Sequence, residues 1–318
     1  MKMKIVMLEP LGVSEEKVMK MAKPFLDAGH EFVYCGKPVG SEEEKKELAR
    51  EADVLIIANS PLSADVIDAA RNLKMISVGF TGVDHVDMET CRKRGVVVCN
   101  AQGYATDATA EMTLTMMLAC LRNVVPYDGI VREGGRLQGF SHNTLKGKNV
   151  GIVGTGAIGR RVAELVKAFG CNLLGYDVAK SPEAMELGVT YAELDELFAK
   201  SDIVTMHAPL LESTRKLASR ERIALMKKTA ILINCARGPL VDSEALAEAL
   251  NEGRIAKAGI DVYEMEPPIP ADHPLLHAKN VILTPHVAFY TEESLALRVG
   301  IVCDNISAWM AGHPINVK

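Results

Sequence analysis

The chain has 318 residues, 48% of them hydrophobic, with a formal net charge of −5. That length suits two domains with ordinary cores, and an acidic balance with no basic block argues against nucleic acid. No apolar stretch has the length of a membrane span, and the run in MKMKIVMLEP is too short for a signal peptide, so a cytoplasmic protein with no membrane partner is expected. In chain order, strands are predicted at Lys4–Leu8, Glu31–Tyr34, Val54–Ala58, Met75–Val78 and Val96–Cys99. Between them lie the helical patterns SEEKVMKMAKPFLDAG, SEEEKKELAREA, SADVIDAAR and METCRKRG. Ser14 and Ser41, each followed by glutamates, read as N-caps. Alternating β and α at this spacing implies a parallel sheet covered by helices. No phosphate-binding glycine pattern occurs in this part.

A helix is predicted from Thr106 to Arg122. Its segment AEMTLTMMLACLR is apolar almost all the way round, which requires burial on several sides. It is either a core helix between domains or a dimer-interface helix, and the two are compatible. The polar stretch REGGRLQGFSHNTLKGK leads into strands at 149–153, 172–176, 202–205, 229–233, 256–260 and 281–283. A last helix, about 291–312, needs a partner for its apolar face, and the first domain can supply one. The organisation expected is α/β: two Rossmann-like, doubly wound parallel-sheet domains with a ligand cleft between them. Residues 1–100 plus 291–318 form the substrate (catalytic) domain, and 101–290 the nucleotide domain. The seven cysteines, Cys35, Cys91, Cys99, Cys120, Cys171, Cys235 and Cys303, show no C-x-x-C and no paired spacing. They read as small buried hydrophobes in a reducing compartment, forming neither a disulfide framework nor a metal site.

The segment VGIVGTGAIGR, residues 150–160, contains G-x-G-x-x-G at Gly154, Gly156 and Gly159. The first glycine makes a tight strand-to-helix turn, the second lets backbone approach a pyrophosphate, and the third lets helix pack on strand. The context agrees: NVGIV reads as a buried strand, AIGRRVAELVKAFG as a helix with Gly170 as its C-cap. CNLLGYD ends in Asp177, 18 residues beyond Gly159, where an acid meets the ribose of a dinucleotide. A turn that binds nothing is the competing reading.

Three polar residues follow later strand-like runs: Arg237 in INCARGPLVD, Glu266 in GIDVYEMEPP and His286 in ILTPHVAFY. Singly, each has an ordinary role as a loop charge, a turn residue or a helix cap. Jointly, at successive strand ends downstream of a dinucleotide fingerprint, they suit the redox chemistry of a 2-oxo acid. Arginine offers a planar fork to a carboxylate. Histidine moves a proton near neutral pH, and glutamate holds the imidazole and favours its charged form.

The blocks VGTGAIGRRVA, HAPL, LINCARGPLVD, GIDVYEMEPP and TPHVA, with VGFTGVDHVD and GYATDATAE before them, resemble the D-isomer-specific 2-hydroxyacid dehydrogenases over nearly the whole chain. The resemblance implies an NAD-dependent enzyme, usually a homodimer, acting on a small 2-oxo or D-2-hydroxy acid. It implies Arg237, Glu266 and His286 as catalytic residues, and Phe80, Thr81, Gly82 and Val83 as the loop that meets the substrate carboxylate. It places Ala157 and Ile158 with the glycines under the pyrophosphate and Asp177 at the ribose. His207 and Pro209 border the cofactor, and Cys235 and Asp261 lie near the nicotinamide. The AFYT stretch resembles the D-lactate dehydrogenase branch, whereas FTGVDHVD does not have that branch's form. Formate dehydrogenases of this fold carry Gln where Glu266 stands, and members that make serine precursors often add a regulatory domain, for which a chain ending at Lys318 leaves no room. The alternative readings are a phosphite-type dehydrogenase of the same fold and an NADH-sensing dimeric scaffold of the corepressor type.

Overall fold

The computed structural model describes residues 2–137 and 139–318. The chain divides into two compact units, Met1–Ala105 with Tyr290–Lys318, and Thr106–Phe289. The first boundary falls five residues beyond the expected 100/101 for a local reason. The Ala101 N–H donates to the Phe80 carbonyl (2.9 Å), and the Tyr104 ring lies 6.0 Å from the Phe80 ring, so this turn stays with the first sheet.

Among the described residues, the first unit holds five parallel strands: β1 (Lys4–Met7), β2 (Glu31–Tyr34), β3 (Val54–Ile57), β4 (Met75–Val78) and β5 (Val97–Asn100). Their order is β2-β1-β3-β4-β5, a doubly wound arrangement. The connecting helices are α1 (Glu15–Asp27), α2 (Glu42–Ala49), α3 (Ala64–Ala69) and α4 (Met88–Arg94). Ser14 and Ser41 accept the N–H groups of Lys17 and Glu44 as N-caps; Ser63 and Asp87 cap the next two helices in the same way. β3 and β4 are buried along their whole length, as strands covered on both faces must be.

The C-terminal helix, Glu292–Met310, belongs to this unit. It buries Val299, Val302 and Ile306, and three polar contacts fix its position. Ser77 Oγ donates to the Val302 carbonyl (3.2 Å). Asn305, fully buried, donates to the Asn100 carbonyl (2.9 Å) and accepts from the Asn316 amide (2.8 Å).

The second unit opens with α5 (Thr106–Arg122) and α6 (Val124–Arg132). α6 is not legible in the sequence because Pro126 and Gly129 interrupt its pattern; Pro126 is tolerated in the first turn, where its missing N–H is not needed. Alternation then runs through β6 (Asn149–Val153), α7 (Ala157–Ala168), β7 (Asn172–Tyr176), α8 (Pro182–Glu186), β8 (Thr190–Tyr191), α9 (Leu194–Lys200), β9 (Ile203–Met206), α10 (Arg220–Leu225), β10 (Ile231–Asn234), α11 (Ser243–Asn251), β11 (Lys257–Ile260) and β12 (Val281–Leu283). The seven described strands are parallel and ordered β12-β11-β10-β9-β6-β7-β8. β8 escapes the sequence reading because two residues show no period. α5 packs on α7, β10 and β11, burying Ala110, Thr113, Met116, Met117 and Cys120. No helix among the described residues is long and apolar enough to cross a membrane.

Replacing Asn305 with Ala strands the Asn100 carbonyl and the Asn316 amide and opens a small void. The expected loss is about 2–4 kcal/mol, read as a lower urea midpoint for the full chain.

Candidate functional site

The second sheet reverses its direction of winding between β6 and β9, and open α/β sheets take ligands beyond the carboxyl ends of their strands at such a point. The glycine loop leaves β6 there. Gly154 has φ +96°, and a Cβ on it would lie 2.6 Å from the backbone of His207 and Ala208, which follow β9. A Cβ on Gly159 would lie 2.0 Å from the Gly154 carbonyl. These two glycines serve approach of chain to chain. Gly156 differs, since its Cβ would meet nothing within 4 Å. Gly156 and Ala157 are exposed and Ile158 is half-buried, and Gly156 as N-cap of α7 brings no side-chain cap. The first-turn amides of α7 are left to an outside acceptor, with the helix's positive end behind them.

Asp177, just past β7, accepts through Oδ2 from the Thr155 N–H (2.7 Å) and the Thr155 hydroxyl (3.1 Å). His207 Nε2 lies 2.9 Å from Thr205 Oγ1. Desolvation of the ring pushes its pKa down to about 3, so it is a neutral group. Pro209 is exposed, and its carbonyl accepts from Thr214 (2.7 Å). Open space at the middle glycine, an uncapped helix start and a carboxylate at the next strand end together fit a dinucleotide.

Farther along the same edge, β10, β11 and β12 lie side by side. Arg237 follows β10, Glu266 follows β11 and His286 follows β12. The structure brings Glu266 and His286 together: His286 Nδ1 is 2.9 and 2.8 Å from the two Glu266 oxygens. The His286 side chain is 11% exposed and that of Glu266 56%. An imidazole held at Nδ1 can give or take a proton at Nε2.

His286 has φ +57°, a left-handed backbone that costs a non-glycine residue on the order of 1–3 kcal/mol. Asp261, fully buried just past β11, holds it there. The Asp261 carbonyl accepts the His286 N–H (2.8 Å). Its carboxylate accepts from Val287 N–H, Ala288 N–H (both 2.9 Å) and the Thr284 hydroxyl (2.5 Å).

Arg237 sits in a loop shaped by Asn234, which donates to the Arg237 carbonyl (2.9 Å) and accepts from Ala236 N–H (3.1 Å). The Arg237 guanidinium donates to the Ala236 carbonyl (2.8 Å). A Cβ on Gly238 would fall 1.9 Å from the Tyr263 backbone. Only glycine lets this loop lie against the one that carries Glu266. That second loop is pinned by His273 Nε2 at 3.0 Å from Glu264 Oε2 and by the Tyr263 hydroxyl donating to the Thr284 carbonyl (3.0 Å). Cys235 is buried 3.8 Å from the Met116 sulfur, and burial drives its thiol pKa upward, so it is uncharged.

In the first unit, Phe80–Thr81–Gly82–Val83 follows β4. Phe80 is buried, and the Arg298 guanidinium lies 5.7 Å from its ring and 5.6 Å from that of Tyr104. Asn100 Nδ2 donates to the Thr81 carbonyl (2.5 Å). This sheet has its own reversal between β1 and β3, where buried Glu9 accepts from Ala58 N–H (2.7 Å) and Ser60 N–H (3.0 and 3.1 Å). Glu9 follows β1, and Ala58 and Ser60 follow β3, so this carboxylate ties the two strand ends together across the reversal.

Sequence reading does not single out Glu9, Thr155, Asn234 or Thr284. Glu9, Asn234 and Thr284 are polar residues that end or follow short apolar runs, and Thr155 is a hydroxyl inside a glycine loop. Those placements are the available signals.

The model of the NAD binding domain of D-isomer specific 2-hydroxyacid dehydrogenases matches residues 114–288. The chain is 38% identical to the D-3-phosphoglycerate dehydrogenase of Methanocaldococcus jannaschii over 98% of its own length, but it spans only 58% of that longer relative. It is 41% identical to the glyoxylate reductase of Thermofilum pendens, over 86% of this chain and 83% of the relative. The structure of the D-lactate dehydrogenase of Aquifex aeolicus with NAD and lactic acid superposes with a TM-score of 0.86 at 29% identity, covering 98% of this chain and 96% of that one. The protein belongs to the D-isomer specific 2-hydroxyacid dehydrogenase family of NAD-dependent oxidoreductases, and the NAD-binding match falls within its second unit.

Proposed function

We propose that the protein interconverts a small 2-oxo acid and the corresponding D-2-hydroxy acid. The observation that carries this reading is the Glu266–His286 pair, 2.8 Å apart, on the same sheet edge as Arg237 and the glycine loop. The names of its relatives, glyoxylate reductase and hydroxypyruvate reductase among them, support the substrate class. Gly154, Gly156, Ala157, Ile158 and Gly159 take the pyrophosphate, Asp177 the ribose, and His207 and Pro209 border the cofactor. When bound, the nicotinamide supplies or receives the hydride.

Arg237 presents its planar fork to the carboxylate and carbonyl of the oxo acid. In reduction, His286 Nε2 gives its proton to the carbonyl oxygen as that oxygen gains an electron pair; in oxidation it receives the hydroxyl proton. Glu266 at Nδ1 fixes the ring and stabilises its charged form. Cys235 lines the nicotinamide side as a neutral thiol, and Asp261 acts through the turn it holds. The Phe80–Val83 turn donates N–H groups to the substrate carboxylate. We further propose a homodimer through the face of α5 on which Leu114 and Leu118 remain only partly buried in the single chain, to be read by light scattering.

The reading is tested by NADH consumption with pyruvate, glyoxylate, hydroxypyruvate, 2-oxobutyrate, 2-oxoisocaproate and phenylpyruvate. Turnover with at least one, giving the D-product, is expected; NADH binding without turnover across the panel would refute it.

Arg237→Lys keeps the charge and loses the fork, so kcat/KM for the oxo acid should fall about 100-fold or more while the NADH Kd holds. Equal weakening of both ligands would assign Arg237 a structural role instead. His286→Ala should lower kcat by about 10²–10⁴ with NADH binding, followed by fluorescence, intact. Glu266→Gln removes the anion that holds the ring at Nδ1, so reductive kcat/KM should fall while the NADH Kd holds. His207, with a pKa near 3, carries no charge between about pH 5 and 9. Any titration of NADH affinity in that window should therefore persist in His207→Gln.

A further inference from the structure

Tyr191, the last residue of edge strand β8, is a polar group that the mechanism does not use. Its hydroxyl lies 2.7 Å from Thr155 Oγ1 and accepts the Ser181 N–H at 2.8 Å. Thr155 donates in turn to Asp177 Oδ2 (3.1 Å). An ionised carboxylate can only accept, so the Thr155 proton goes to Asp177. The Tyr191 proton must then go to Thr155, and Ser181 supplies the donor that Tyr191 lacks. The chain has one direction, from Ser181 N–H through the Tyr191 and Thr155 hydroxyls to Asp177.

Geometry makes this meeting deliberate. Thr155 follows β6 and Tyr191 ends β8, so β7 runs between them. They meet over Gly175, which pairs with both Ile152 and Tyr191 in the register. A Cβ at Gly175 would lie 3.3 Å from Thr155 Cγ2 and 2.4 Å from Val189 Cγ1. The missing side chain in the middle strand leaves room for Val189, and Thr155 and Tyr191 meet beside it. With Oδ2 held by two Thr155 donors, Asp177 Oδ1 has only a long contact from Ala179 N–H (3.4 Å).

We propose that Tyr191, through Thr155, is a positioning residue for cofactor selection. It locks Asp177 as an acceptor with one oxygen committed and the other offered to a ribose hydroxyl, and so favours NADH over its 2′-phosphorylated counterpart. This rests on the reading of Asp177 as the ribose ligand. Tyr191 itself touches no part of the reaction.

The full chain is titrated with NADH and with NADPH by fluorescence for wild type, Tyr191→Phe, Thr155→Val, the double variant and Asp177→Ala. Tyr191→Phe keeps the ring, and with it the face 5.9 Å below the Lys180 ammonium, but loses the hydroxyl. Its NADH Kd should rise about three- to tenfold, the size of one lost hydrogen bond, with the NADPH Kd changed by less than about twofold. The double variant should be no weaker for NADH than Thr155→Val alone, since both break one chain. A merely structural role would weaken both cofactors alike, and that result, or additive losses in the double variant, would overturn the proposal. An unchanged NADH Kd in Tyr191→Phe alongside a weakened one in Asp177→Ala removes the relay and keeps the ribose ligand. An unchanged NADH Kd in Asp177→Ala removes the ribose reading and the relay with it.

Discussion

A buried carboxylate, Asp261, governs the shape of the reactive edge. It has no exposed surface, so leaving it unpaired would be costly. The chain satisfies it by wrapping residues 284–288 around it: a hydroxyl, two backbone amides and, through its own carbonyl, the amide of His286. That wrapping holds His286 at φ +57°, a conformation the residue would not keep by itself. The imidazole then meets Glu266, on a loop braced by Glu264, His273 and Tyr263. The His286–Glu266 pair is thus set by backbone geometry, and the backbone geometry by one anion.

The two units run the same architectural plan to opposite ends. Each sheet has a winding reversal with backbone amides at its carboxyl edge. In the first, Glu9 ties the end of β1 to the amides after β3, and the helix after β1 carries a Ser14 cap. In the second, the position is left open, with an exposed glycine and an uncapped helix. Ligand binding at such an edge is a property of the fold. The three glycines of the loop divide their work accordingly. Gly154 and Gly159 are required by neighbouring backbone, while Gly156 is required by nothing in the protein.

Glycine also sets the distance between loops. Gly238 brings the Arg237 loop against the backbone of Tyr263, and Gly175 makes room for the Val189 side chain beside β8. Neither residue has a positive φ among the glycines of the chain. Their purpose is steric alone, whereas Gly154 combines a close approach with a positive φ.

Much was decided by the sequence alone. Period and punctuation locate eleven of the described parallel strands to within two residues, because a buried strand must be an apolar run bounded by turns. The spacing G-x-G-x-x-G marks the glycine loop between β6 and α7, and the arginine, glutamate and histidine stand out as polar residues at strand ends. The tertiary structure decided the rest. β8 is too short to carry a period, and α6 is hidden by Pro126 and Gly129. The anchoring role of Asp261, the tie formed by Glu9, and the Thr155–Tyr191 contact depend on residues 23 to 51 positions apart meeting through the order of strands in the sheet. Local propensity has no reach over such distances; strand order and the absence of a side chain at Gly238 do.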